Sequence, residues 1–188
     1  MAFARGEAGP GRPGDRAFVG AVATVGTRLV AEVVVPGRAG AAYEPGMLAL
    51  REGPMLMAAV EALGARPDVL LVDATGRDHP RRAGLALHLG AVLDVPTVGV
   101  THRALWATGS EPGRRAGDTS ALTLAGEHVA AWVRTRTGVR PVVAHAAWRC
   151  DVDVAVDVVV HTVDAARTPE PLRLARRAAR SARSAASP

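Results

Sequence analysis

Residues 69–94 carry the pattern that most constrains the fold, because they change from an apolar strand to an apolar helix across one charged loop. The first five, VLLVD, are apolar up to Asp73, as expected for a strand that is covered on both faces. Residues 82–94 have helical spacing, and residues 96–101, PTVGVT, indicate a second buried strand. Strand, helix and strand in this order predict an α/β fold.

The N-terminal part of the chain adds a hairpin and a helix. Residues 17–26 and 28–35 are rich in strand-forming residues and meet at a Gly-Thr turn, which predicts a β-hairpin. Residues 47–64 have helical spacing, but Pro54 predicts a break or a new helix start near Gly53. The hairpin and the strand–helix–strand pattern together predict a mixed sheet.

The C-terminal part gives less regular patterns. Residues 107–120 are polar and contain glycine and proline, which predicts a loop. Residues 128–138 and 140–146 predict another pair of strands. Residues 151–166 fit a strand or a helix, and the spacing of their Asp residues favours the helix. Residues 169–188 predict an Arg-rich helix that ends in a tail.

Length and composition predict one domain with a small-residue core. Hydrophobic residues make up 48% of the 188 residues but aromatic residues only 3%, so Ala, Val and Leu must fill the core. We expect residues 1–16 to be a disordered or remnant segment and residues 17–174 to form the domain. Residues 175–188 would then be an Arg-rich tail.

Charge and cysteine content restrict the function classes. The net charge is +5 and every basic residue apart from histidine is Arg, which favours an anionic partner. The single cysteine, Cys150, excludes an internal disulfide and a cysteine-based zinc cluster. The sequence has no signal-peptide core and no apolar run of ~20 residues, so we expect a cytoplasmic protein without a membrane partner. We also expect a monomer. Walker-type, GxSxG and HExxH motifs are absent, so the common routes of phosphate and acyl chemistry have little support.

Polar side chains follow both predicted buried strands. Asp73 ends the first strand, where α/β sheets open towards a ligand crevice. A charged acid at that place needs a partner or a metal ion, although it could also cap the next helix or pair with Arg81. His102 and Arg103 follow the second strand and are expected at the same edge.

The loop after Asp73 contains three more candidates. His79 could orient a water, contact a phosphate or bind a metal ion, or it could be only a turn residue before Pro80. Arg81 and Arg82 could bind a phosphate through paired hydrogen bonds, or they could form the solvated start of a helix.

Two candidates and one basic segment lie outside this loop. Glu52 follows an Arg, and such a pair is often only a surface feature. Tyr43 stands on a Pro-Gly turn and could be either a wedge or a loop cover. The Arg-rich C-terminal helix could contact nucleic acid or present a solvated face.

Three stretches, in this order and spacing, resemble the endonuclease V family. They are YEPGMLALREGP (43–54), VLLVDATGRDHPRRAGLALHLG (69–90) and VPTVGVTHR (95–103). The likeness runs from about Ala17 to Pro171, which is close to the whole chain.

The resemblance implies an RNase H-like fold, with a mixed sheet flanked by helices. It also implies hydrolysis, with Mg²⁺ or Mn²⁺, of a phosphodiester bond on the 3′ side of deoxyinosine, a deaminated purine, in DNA repair. Glu52 and Asp73 would hold the metal ion. His79, and His102 at the position of a family lysine, would lie in the active site.

The resemblance further implies a set of residues that contact nucleic acid. The wedge that fills the gap left by a flipped base would comprise Tyr43, Glu44, Pro45 and Gly46. The remaining residues would bind nucleic acid or keep the backbone close to the base pocket and the strand, and they are Arg51, Gly76, Arg81, Arg82, Gly84, Gly99 and Arg103.

Several positions depart from the family pattern. Ala74 and Thr75 replace a Gly and a His, and Trp148 replaces a His. The family's first metal-binding Asp lies on a central strand before the hairpin, and the expected fold lacks that strand. Residues 1–3, MAF, resemble the residues that follow this Asp. We therefore expect that the start codon is assigned too late and that an Asp precedes Met1 in the native chain.

Three functions remain open at this point. The first is a metal-dependent deoxyinosine endonuclease with a remodelled site. The second is a catalytically impaired homologue that only binds nucleic acid. The third is a nuclease that acts on RNA containing inosine.

Overall fold

The structure is a computed structural model that describes residues 1–4 and 11–186 of the chain. Two compact units are present. The N-terminal unit comprises Met1–Arg66 with Pro171–Pro188, and the central unit comprises Pro67–Glu170. The expected remnant segment, 1–16, and the tail, 175–188, lie partly outside the described residues, and the predicted domain boundaries stay predictions.

The strands and helices have the following bounds. The strands are β1 (Ala2–Phe3), β2 (Arg16–Val25), β3 (Arg28–Arg38), β4 (Leu70–Val72), β5 (Thr97–Thr101), β6 (Thr119–Leu124), β7 (Glu127–Val133) and β8 (Val142–Ala146). The helices are α1 (Leu48–Ala62), α2 (Leu85–Leu93), α3 (Val152–His161) and α4 (Glu170–Ala185).

The N-terminal unit contains an antiparallel sheet of order β1-β2-β3. The predicted hairpin is confirmed, and Gly26 in its turn has a φ of 60°, which a glycine adopts without strain. Before the hairpin, the two residues of β1 pair with β2, Ala2 opposite Phe18 and Phe3 opposite Ala17. The hypothesis of a start codon upstream of Met1 stays a prediction.

Helices lie on both faces of this sheet. Val19 and Ala17 form a core with Met55 and Ala59 of α1. The next residue, Gly20, points to the opposite face because side chains alternate along a strand. There a Cβ atom would lie 2.3 Å from the Ala175 carbonyl oxygen of α4, so only glycine allows this helix to approach.

The predicted break near Gly53 is wrong, because α1 runs without interruption through Pro54. A proline removes one helical donor, here the one that would serve the Leu50 carbonyl. Packing from outside the helix supports this turn, since the Gly40 N–H donates to the Arg51 carbonyl at 3.0 Å. Gly40 can approach because it has no Cβ atom, which would lie 2.7 Å from the Leu50 carbonyl oxygen. Tertiary contacts therefore continue the helix where the local sequence predicts a break.

The central unit contains a mixed sheet of order β4-β5-β8-β7-β6. Strands β4 and β5 are parallel, and the other pairs are antiparallel. The predicted pairing of β7 with β8 is confirmed, but β7 ends at Val133 instead of residue 138. The predicted loop 107–120 is too long at its C-terminal end, because β6 begins at Thr119.

The helices of the central unit also lie on opposite faces of the sheet. A Cβ atom on Gly99 of β5 would lie 3.2 Å from the Ala86 side chain of α2. The opposite face carries Ala146 and Ala131, which pack against Val152 of α3. Residues 82–94, 151–166 and 169–188 were predicted to contain helices, and α2, α3 and α4 confirm this. The expected α/β fold, a mixed sheet flanked by helices, is thus confirmed.

No helix within the described part of the chain combines the length and the apolar character needed to cross a bilayer.

Candidate active site

Asp73 stands at the carboxyl edge of the parallel strand pair. It directly follows β4, and its side chain is exposed. Because β4 and β5 are parallel neighbours, the residues that follow them meet at one edge of the sheet. The alternative that Asp73 caps the next helix is wrong, because Gly84 occupies the N-cap of α2 and no side chain caps that end. Asp73 is thus placed where a strand-end ligand site is expected.

Glycines hold the loop after Asp73 against the sheet. A Cβ atom on Gly76 would lie 2.1 Å from the Ala146 carbonyl oxygen, and one on Gly99 would lie 2.3 Å from the Ala74 carbonyl oxygen. A Cβ atom on Gly84 would lie 2.3 Å from the Thr75 carbonyl oxygen. Gly76 thus approaches strand β8 and Gly99 of β5 approaches the loop, whereas Gly84 approaches another part of the same loop; the role of these glycines in a base pocket stays a prediction.

His79 and Arg81 lie in a tight turn of this loop. The His79 side chain is buried, and its Nδ1 accepts the Arg81 N–H at 3.2 Å. This contact supports the turn role that the sequence left open, and the catalytic role of His79 stays a prediction. Arg81 itself is exposed.

Arg82 connects the loop to the β6–β7 hairpin. Its guanidinium donates to the Leu124 carbonyl at 2.8 Å and pairs with Glu127 at 3.1 Å. Its φ of 56° lies in the left-handed region, which non-glycine residues rarely adopt. Arg82 therefore has a structural role that the sequence did not predict, and its contact with nucleic acid stays a prediction.

Asp78 is a central residue of the loop that sequence reasoning missed. Its carboxylate is fully buried and accepts the backbone N–H groups of Leu105, Trp106 and Ala107 at 2.7, 2.8 and 2.7 Å. These charge-assisted bonds compensate a buried charge that would otherwise be costly. They also join the loop after β4 to the loop after β5.

His145, the fourth residue of β8, lies close to Asp78. Its Nδ1 is 3.8 Å from an Asp78 oxygen and has no hydrogen-bond partner, and its Nε2 is 2.7 Å from the Thr101 hydroxyl. The Thr101 hydroxyl donates to the Arg103 carbonyl, so it accepts from Nε2, which carries a proton. A histidine inside an apolar strand is the sequence signal that could have suggested a buried partner.

Burial lowers the pKa of His145 from 6.5 to about 4, although the charge of Asp78 partly opposes the shift. Unfolded His145 therefore takes up a proton below pH 6.5, whereas the folded form does so only near pH 4. We expect this group to lower the free energy of unfolding by about 3 kcal/mol as the pH falls through that window. Urea titrations of the wild type and His145→Asn at several pH values measure it. If the free energy of unfolding falls equally steeply with pH in the wild type and in His145→Asn, the lowered pKa of His145 is contradicted.

His102 and Arg103 stand at the same edge as Asp73, as predicted. Both side chains are exposed, and His102 Nε2 is 3.0 Å from the Thr168 hydroxyl. Their roles in catalysis and nucleic-acid binding stay predictions.

The predicted wedge lies in the N-terminal unit. Tyr43 is 59% exposed on a loop, which confirms its expected exposure. The turn that follows is closed by the Met47 N–H and the Glu44 carbonyl at 3.0 Å, with Pro45 and Gly46 between them. Gly46 has a φ of 78°, as the third residue of a type II turn requires. The insertion of this turn into nucleic acid stays a prediction.

Arg51 has a structural role in the N-terminal unit. Its side chain is 4% exposed and donates to the Arg12 and Ala41 carbonyls, each at 2.9 Å, and to Asp15 at 2.7 Å. The bond to Arg51 lowers the pKa of Asp15. Since these contacts leave almost no exposed guanidinium surface, Arg51 has a structural role, and its predicted contact with nucleic acid stays a prediction.

Glu52, the next residue of α1, is half-buried. Its predicted proximity to Asp73 stays a prediction. Among the residues that the structure describes, no three His, Cys, Asp or Glu side chains are grouped so that they could hold a metal ion.

Trp148 stands where the family has a histidine. Its carbonyl accepts the Thr97 N–H at 2.9 Å, and its indole N–H is buried without a hydrogen-bond partner. The side chain is half-buried, so the position supports the sheet but offers no metal ligand.

The fold and the strand-end residues define a class, that of α/β proteins with a polar site at the carboxyl edge of a mixed sheet. A model of the endonuclease V family matches residues 11–177. The chain belongs to the endonuclease V family, as its sequence motifs predict.

Individual relatives agree with this assignment. The endonuclease V of Methanopyrus kandleri is 48% identical over 142 residues, which cover 76% of this chain and 61% of that protein. The crystal structure of endonuclease V from Streptomyces avermitilis is similar with a TM-score of 0.80 and 32% identity, covering 94% of this chain and 86% of that one. The chain spans about three fifths of the length of the curated relatives it matches.

A second similar structure contains a ligand. Endonuclease V of Ciona intestinalis, in complex with a 23mer DNA containing an inosine followed by a ribo-adenosine, has a TM-score of 0.73. At 20% identity, with 92% of this chain and 86% of that one covered, this likeness shows the fold alone.

Proposed function

We propose that this protein is a metal-dependent endonuclease of DNA repair that hydrolyses the phosphodiester bond on the 3′ side of deoxyinosine. The observation that carries the proposal is the exposed Asp73 at the carboxyl edge of the parallel strands, in a chain that belongs to the endonuclease V family. Membership of the endonuclease V family supports the choice of substrate.

The donor set fits a hard divalent cation. Mg²⁺ typically binds through one or two carboxylates, substrate phosphates and retained waters, and Mn²⁺ accepts similar oxygen ligands. Asp73 is a carboxylate of this kind, and the family pattern adds Glu52. When bound, such an ion neutralises charge that develops on the phosphate and activates water.

Other residues of the chain would position the nucleic acid. Arg81 and Arg103 are exposed and can donate to phosphate oxygens. The exposed Tyr43 can fill the space that an extruded base leaves in the stack. His79 and His102 lie close in sequence to the strand ends and would orient water or phosphate. We place this activity in the cytoplasm and assign it to a monomer.

The test is a cleavage assay on the purified protein. Matched oligonucleotide duplexes, with one deoxyinosine or with deoxyadenosine at the same position, are incubated with Mg²⁺ or Mn²⁺ and with a chelator. We expect cleavage only of the inosine strand, on the 3′ side of the inosine, and its loss with the chelator.

Two other outcomes would replace the proposal. Preferential binding of the inosine duplex without cleavage would indicate a nucleic-acid-binding homologue that has lost activity. Cleavage of a matched inosine RNA in preference to the DNA would indicate an RNA nuclease.

A further inference from the structure

Trp106 is a large aromatic side chain that the structure leaves in solvent. It is 60% exposed, in a chain whose residues are only 3% aromatic. The other two tryptophans, Trp132 and Trp148, are half-buried. Single exposed apolar residues are common on protein surfaces, so exposure alone assigns no role. The hydrogen bonds that fix the backbone of Trp106 are a second observation that points to a role.

The loop that carries Trp106 is fixed on both sides. The buried Asp78 carboxylate accepts the N–H groups of Leu105, Trp106 and Ala107. Ala107 is buried in a core cluster, and Thr108 then pairs with Thr123 through two backbone hydrogen bonds of 2.9 Å. The indole is therefore displayed from an ordered backbone, and little conformational entropy is lost when it binds a flat partner.

The position of the Trp106 loop and the positive charge of the chain indicate what kind of partner this side chain binds. The loop leaves the carboxyl end of β5 and is joined by Asp78 to the loop that begins at Asp73. Arg103, three residues before Trp106, is exposed, and the chain carries a net charge of +5. A flat apolar surface close in sequence to an exposed arginine, in a chain of net positive charge, suits an anionic ligand with aromatic rings, which describes a nucleic acid with unpaired bases.

We propose that Trp106 is a stacking surface for an unpaired nucleobase of the bound nucleic acid. Aromatic side chains stack on any base because every base has a π face, so this contact adds affinity without reading sequence. The proposal rests on the proposed function in that the same nucleic acid occupies the site. Asp78 is then a positioning residue, since it holds the loop and does not touch the base.

The experiment compares two single-stranded oligomers of equal length by fluorescence anisotropy, without added metal. One carries normal bases and a single deoxyinosine, and the other is built of abasic residues and keeps only the phosphates. We expect Trp106→Ala to raise Kd for the base-containing oligomer about tenfold and to leave Kd for the abasic oligomer unchanged. Trp106→Phe should stay within about threefold of the wild type, because it keeps an aromatic face.

Val160→Ala is the matched control. Val160 is an exposed apolar residue of α3, 43% exposed, and its truncation should change neither Kd. Far-UV circular dichroism checks that each variant is folded. We expect the Trp106 variants to fold because this side chain is exposed.

The outcomes separate this inference from the proposed function. An equal loss on both oligomers, or no loss on either, overturns the stacking role, as does a wild type that binds neither oligomer. A wild type that binds the base-containing oligomer through Trp106 but cleaves no inosine duplex supports the stacking role and overturns the nuclease function.

Discussion

Replacement of Asp73 with asparagine is expected to lower inosine-dependent cleavage by about two to four orders of magnitude. The change keeps the size of the side chain and removes the negative charge that the proposed metal ion requires. Because Asp73 is exposed at the end of β4, its replacement should leave the fold intact. Single-turnover rates with saturating protein measure the effect, over a range of Mg²⁺ and Mn²⁺ concentrations.

Asp68→Asn is the matched control for this variant. Asp68 is an exposed aspartate that precedes the same strand, so it samples the opposite end of β4. Its replacement should leave the cleavage rate within about twofold of the wild type, as expected for a surface change away from a site. If Asp73→Asn cleaves as fast as the wild type, Asp73 is not a metal ligand.

The parts of the fold that could be predicted from sequence are those in which local pattern and tertiary packing agree. The strands around residues 69–73 and 96–101 are confirmed, because a continuous apolar run suits a strand that is buried on both faces. The β2–β3 hairpin is confirmed because its Gly-Thr turn separates two long strand-forming runs.

Strand β6 was missed because its residues, TSALTL, mix small and polar side chains and most of them are not buried. A better signal is the turn that follows. Ala125 and Gly126 have φ values of 50° and 81°, as in the two-residue turns that join hairpin strands. The Ala-Gly pair between the two strand-forming parts of the run LTLAGEHVAAW could have suggested this hairpin.

The site was predictable where a residue acts through its place on a strand, and not where it acts through distant partners. The place of Asp73 at the end of β4 could be predicted from the apolar run before it. Arg51 resembles a surface residue in sequence, yet it is buried by Asp15, which is 36 residues away. Asp78 binds backbone groups 27 to 29 residues further along the chain. Such contacts depend on the fold and leave no local pattern.

Asp78→Ala is therefore expected to lower the free energy of unfolding by about 3 kcal/mol or more. Hydrogen bonds to a charged group contribute roughly 1.5–3 kcal/mol each, and backbone donors left without a partner in a buried place add a desolvation penalty. Three such donors lose their acceptor in this variant. Urea denaturation at neutral pH measures the change in the free energy of unfolding.

Asp94→Asn is the matched control, because it removes the charge of an exposed aspartate of the same unit, and Asn, like Asp, tolerates the left-handed φ of 52° at this position. Asp94 pairs with Arg149 at 2.8 Å, and surface ion pairs contribute only about 0–1 kcal/mol. The comparison separates the role of the buried carboxylate from the general loss of a negative charge. Asp78→Ala should also reduce the base-dependent part of oligomer binding, since Trp106 then lies on a loop without its anchor. An Asp78→Ala variant as stable as Asp94→Asn would mean that water or another group satisfies the three N–H donors, and that Asp78 does not order this loop.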